Sequence, residues 1–67
     1  MDQPLLPTGV EIQLLGQRAV CVSREFHLGS WRYGFEIPTH KHMGIFWYRA
    51  KDACRYLTEE SMKFLGI

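Results

Sequence analysis

The heptapeptide Trp31-Arg32-Tyr33-Gly34-Phe35-Glu36-Ile37 constrains this chain more than any other stretch. Apolar residues occupy every second position, so in an extended backbone Trp31, Tyr33, Phe35 and Ile37 share one face while Arg32, Gly34 and Glu36 share the other. A helix would scatter the same four hydrophobes around its surface. The segment is therefore expected to be a strand with one face in a core, and a strand needs neighbours.

Those neighbours are legible on both sides. Val10 to Leu15 alternates, placing Val10, Ile12 and Leu14 on one face. After a tight connection at Gly16-Gln17, Arg18 to Phe26 reads as a second strand, with Val20 and Val22 on one face and Ala19, Cys21 and Ser23 on the other, the latter expected to flank Arg32, Gly34 and Glu36 on the outer side of the sheet. His27-Leu28-Gly29-Ser30 carries the glycine that a short hairpin loop uses at positive φ. Pro38 to His42 breaks the third strand, and Gly44 then opens Ile45 to Ala50, an aromatic run that reads as a fourth strand without alternation to assign its faces. Phe46, Trp47 and Tyr48 cannot all point the same way, so Trp47 or Tyr48 is expected at the surface.

Beyond Ala50 the residues become helix formers. Ala53, Leu57 and Phe64, with Cys54 and Leu65 beside them, recur at helical spacing, so one helix over 51–65 fits. A short turn followed by a helix from Thr58 fits somewhat better, because Thr58 before Glu59 and Glu60 has N-cap chemistry and Gly66 suits the C-terminal cap. Residues 1–9 hold two of the three prolines and read as an irregular lead-in, leaving 10–67 as one small domain. The expected fold is mainly β: an antiparallel meander of four to five strands with a short C-terminal helix, curled into a small barrel or left open under the helix.

The curled solution resembles the SH3-like small barrels. The open one resembles three-stranded-sheet-plus-helix DNA-binding domains such as the N-terminal domains of some phage integrases. That likeness is carried by Gly29-Ser30-Trp31 through Glu36 and by Gly44-Ile45-Phe46 through Leu57. It is one of pattern, and the dense arginines of such strands are thin in this chain.

Only 67 residues are available, so a single small core must suffice, and nine aromatics supply much of its bulk. Two cysteines, Cys21 and Cys54, are too few for a disulfide framework, and no apolar run follows Met1 or reaches membrane-spanning length. A cytoplasmic protein with reduced thiols is expected. Net charge is +1, but Arg18 to Tyr56 carries seven Lys/Arg against three Asp/Glu. This central block is mildly basic, short of the composition of an obvious nucleic-acid binder.

Chemistry-bearing constellations are sparse. His40 and His42, with His27, Cys21 or Cys54, supply zinc-type donors but lack the close paired spacing of a structural site, so no metal is expected. Cys21 and Cys54 read as small hydrophobes rather than nucleophiles. No catalytic residue, cofactor, small-molecule substrate or membrane association is expected. The sequence points instead to a non-enzymatic interaction module that binds a protein partner or a second copy through the sheet face and the His40 to Met43 hairpin. Arg32, Trp47, Tyr48, Arg49, His40 and His42 are its candidate contacts. The competing expectation is a DNA- or RNA-binding domain using Arg18, Arg24, Arg32, Lys41 and Arg49 around an aromatic.

Overall fold

The computed structural model describes residues 6–66; Met1 to Leu5 of the expected lead-in, together with Ile67, lie outside them. Four strands, β1 (Glu11–Leu14), β2 (Gln17–His27), β3 (Ser30–Glu36) and β4 (Phe46–Arg49), form one antiparallel sheet in sequential order. The sheet curls into a half-barrel, and two short helices follow, α1 (Ala50–Cys54) and α2 (Glu59–Leu65). The meander expected from the alternation is the observed fold.

Both hairpins turn on two residues with positive φ: Leu15 and Gly16 between β1 and β2, and Leu28 and Gly29 between β2 and β3. That is the backbone of a type I′ turn, whose twist matches the flanking strands. Glycine takes it without strain, whereas a leucine there brings its Cβ against its own carbonyl at a cost of about 1 kcal/mol. Leu28 is 84 % exposed, so burial does not offset that cost. Leu28→Asn is therefore predicted to stabilise the protein by roughly 1 kcal/mol, raising Tm by about 4–8 °C in a domain of this size. A thermal melt showing no gain would mean that the leucine makes a compensating contact.

The core lies on one face of the sheet. It contains Val10, Ile12 and Leu14, Tyr33, Phe35 and Ile37, and also Ala19 and Cys21. The last two correct an expectation, since Ala19 and Cys21 were assigned to the solvent face. The register explains the difference. Cys21 pairs with Phe35, but the next pair is Ser23 with Gly34, so Val22 is the extra residue of a β-bulge. Strict alternation through β2 fails at that residue: Ala19 and Cys21 point inward, and Ser23 lands on the outer face.

The C-terminal segment closes the edge that β1 would otherwise expose. Leu57 forms an antiparallel bridge with Ile12, Gln13 N–H donates to the Tyr56 carbonyl at 2.8 Å, and Thr58 N–H donates to the Glu11 carbonyl at 3.1 Å. The break between helices allows this, because a continuous 51–65 helix would have no free backbone to offer an edge. It also resets the helical phase. Ala53 and Leu57 are buried as expected, but Ser61, Met62 and Leu65 form the inner side of α2, leaving Phe64 75 % exposed and Cys54 exposed.

Thr58 caps α2, its hydroxyl accepting from Ser61 N–H at 3.2 Å, and Gly66 closes the helix in the left-handed conformation. The Ser61 hydroxyl in turn accepts from Glu11 N–H at 2.8 Å, tying the helix to β1. Ser61 is 6 % exposed, so Ser61→Ala leaves a shielded amide unpaired. The predicted loss is about 1–3 kcal/mol by urea denaturation, with Ser61→Thr retaining more stability than alanine. Equal losses in the two variants would remove the hydroxyl from the explanation.

Candidate functional site

Register decides which strand-four aromatic reaches solvent. Phe46 pairs with Phe35 and Tyr48 with Tyr33, both core-facing, whereas Trp47 pairs with Gly34 on the outer face. Tyr48 packs edge-on against Phe35, with ring centroids 6.0 Å apart and planes at 70°. Of the two candidates for an exposed anchor, Trp47 therefore occupies the surface, 37 % exposed, and Tyr48 is a half-buried core contact.

Trp47 is held in place. Its ring lies across Gly34, where a Cβ would come within 3.1 Å of Cη2 and Cζ3, and Ile45 closes on the same glycine. The guanidinium carbon of Arg32 sits 4.4 Å from the ring centroid. Arg32 is in turn anchored by Glu25, with Nη2 donating to Oε1 at 2.7 Å and Nε to the same oxygen at 3.2 Å. A ladder thus runs across three strands, from Glu25 on β2 through Arg32 on β3 to Trp47 on β4. Ile45, 39 % exposed, and Val22, 46 % exposed, add apolar surface on the same sheet.

Arg49 completes the group. It is the cross-strand partner of Arg32, is exposed, and makes no ion pair among the described residues. The other basic candidates do not join it. Arg18 lies in the β1–β2 pairing, with its Nε 3.7 Å from a Glu11 carboxylate oxygen. Arg24 pairs with core-facing Tyr33 and so projects from the opposite side of the sheet. Lys41 belongs to the connection between β3 and β4. Of the five arginines and lysines expected to form a basic surface, only Arg32 and Arg49 are brought together.

The connection from Pro38 to Met43 is a 3₁₀ segment with a kink at His40 rather than an open hairpin loop, a correction to the sequence expectation. Proline at its first position costs no hydrogen bond there and presets φ, which explains why the break after Ile37 becomes helical. The His40 and His42 rings lie 5.7 Å apart, and His40 Nδ1 is 2.9 Å from the Thr39 hydroxyl. No group of three or more His, Cys, Asp or Glu side chains is arranged to hold a metal among the described residues.

Both thiols are free, Cys21 buried and Cys54 exposed. Burial pushes the Cys21 thiol above its ordinary range, partly countered by a backbone hydrogen bond of Ser23 and by the Arg24 charge. Such a thiol is a poor nucleophile. No helix is long and apolar enough to cross a membrane among the described residues. Comparison with protein-family models, curated proteins and solved structures gives no match.

Sequence reasoning missed two parts of this surface. The bulge at Val22 leaves no mark in the alternation of β2. The role of Gly34 had a signal, since a glycine inside an otherwise aromatic strand marks a close approach by another group.

Proposed function

We propose that the protein is a non-enzymatic interaction module that docks another protein on the outer face of its sheet, with Trp47 as the anchor. The observation that carries this reading is the Glu25–Arg32–Trp47 ladder, which keeps a large ring at the surface in one orientation. A preordered aromatic contributes contact area with little entropy loss on binding, and tryptophan and arginine are the residues most enriched at interface hot spots. The curled sheet, bridged back to β1 at Leu57, supports an SH3-like reading of the half-barrel. Two unpaired thiols support a reducing, cytoplasmic setting.

The second reading, nucleic-acid binding, draws on the adjacent Arg32 and Arg49. It is weaker because Arg32 already covers a face of Trp47, so a stacking base would have to displace it. Salt separates the two readings. Trp47→Ala is predicted to leave the fold intact while weakening retention of protein partners on the immobilised domain by about 30-fold, an effect that persists at high salt. Equal retention by wild type and variant would overturn the docking reading. Tight duplex or single-strand binding that collapses as salt rises would favour nucleic acid.

A further inference from the structure

The outer face carries an incomplete row of charge. Glu25 on β2 stands opposite Arg32 on β3, and Arg32 stands opposite Arg49 on β4, so the row reads minus, plus, plus and then ends. Side chains directly opposite in an antiparallel pair have Cβ atoms roughly 4.5–5.5 Å apart, and like charges at that spacing destabilise the pair. Glu25 compensates Arg32 from one side. No ion pair among the described residues compensates Arg49 from the other. Beyond Arg49 lies the edge of the sheet, since β4 is the last strand in the order and, among the described residues, pairs only with β3. Among the described residues nothing occupies the next position in the row, and an added strand would fill it.

We propose that β4 accepts an extended acidic segment of a protein partner as a fifth strand, with a carboxylate opposite Arg49 and an apolar side chain opposite Trp47. Backbone groups along Phe46–Arg49 supply the pairing, and the two outer-face residues supply the selectivity. In an antiparallel addition, the mode of every pair in this sheet, the segment passes Arg49 before Trp47, so its pattern from N- to C-terminus is Asp/Glu-x-apolar. The carboxylate then gives Arg49 what Glu25 gives Arg32, and the apolar side chain extends the row Gly34–Trp47.

A second copy of this chain fits less well. β4 contains no acidic residue. Antiparallel self-pairing centred on Trp47 or on Tyr48 would set Ile45 or Trp47 of the second copy against Arg49, and the row would stay uncompensated. The charge of the site thus selects an acidic partner over self-association.

This inference rests on the docking face proposed above, and the test separates the two. A random dodecapeptide display library is panned against the full chain, and the enriched peptides are synthesised and titrated against wild type, Arg49→Glu and Trp47→Ala, each confirmed folded by circular dichroism. The expected consensus is a carboxylate two positions before an apolar residue, with perturbation of the β4 amides in NMR spectra. Arg49→Glu should weaken binding roughly tenfold, because an attraction becomes a repulsion, and Arg49→Lys should retain most of it. Peptides that need Trp47 but bind Arg49→Glu equally well would overturn the acidic-strand proposal and leave the docking face standing. Peptides indifferent to Trp47 would overturn both. An enriched pool without acidic residues, no enrichment, or dimerisation through β4 would each overturn the acidic-strand proposal.

Discussion

Gly34→Val should be among the most damaging single substitutions in this protein, although the glycine sits on the solvent side of the sheet. Its backbone does not require glycine, because φ lies outside the left-handed region that the other described glycines occupy. What it provides is clearance. A Cβ at Gly34 would come within 2.7 Å of Ile45 Cγ2 and 3.1 Å of the Trp47 ring, and Ile45 Cγ2 hangs from a branched carbon that cannot swing aside freely. Adding volume to a packed contact costs about 1–3 kcal/mol, and valine adds two methyl groups beyond the offending Cβ. The expected result in urea denaturation is a loss at or above the top of that range for Gly34→Val and a smaller one for Gly34→Ala. The mechanism makes a further demand: in an Ile45→Ala background, Gly34→Ala should cost little, since the closest clash has been removed. Additive effects in that double-mutant cycle would show that the glycine matters for another reason.

Phe35→Ala is predicted to have the largest effect of all. Phe35 is fully buried, pairs with Cys21 on one side and Phe46 on the other, and meets Tyr48 edge to face. Truncating a buried phenylalanine costs about 3–5 kcal/mol. A domain of this length holds only about 3–10 kcal/mol in total, so the variant should be largely unfolded at ambient temperature or melt far below wild type. Phe35→Leu, which keeps most of the volume, should fold. Native-like far-ultraviolet circular dichroism and a cooperative melt close to wild type for Phe35→Ala would overturn the picture of a single core organised around β3.

The contrast between these two neighbours separates what alternation can reveal from what it cannot. Phe35 was legible as core because a period-two run of aromatics admits one face assignment. Gly34 was legible only as a small residue on the other face, since its importance lies in Ile45 and Trp47, residues more than ten positions away that reach it only once β4 has paired with β3. Cys21 shows the opposite failure. Its local pattern was clear and its face was misassigned, because the bulge at Val22 shifts the phase of β2 and is created by pairing with β3, not by the residues of β2 alone.

Local chemistry was sufficient for the strand order, the turn between β2 and β3, the Thr58 cap and the inward side of β3, because each follows from backbone preference or from the spacing of neighbours along the chain; the first turn, expected at Gly16-Gln17, lies one residue earlier, at Leu15-Gly16. It was insufficient for the choice between Trp47 and Tyr48, for the pairing of Arg32 with Arg49 among the five basic candidates, and for the ladder from Glu25 to Trp47. Those depend on cross-strand register, which joins residues distant in sequence at fixed spacing and which a one-residue slip would invert. The sequence by itself thus determined that this protein is a small antiparallel meander with a surplus of aromatic residues. Only the tertiary structure decided that the β4 aromatic turned to solvent is Trp47, seated on a glycine, covered by an arginine and standing beside a second arginine that has no ion pair among the described residues.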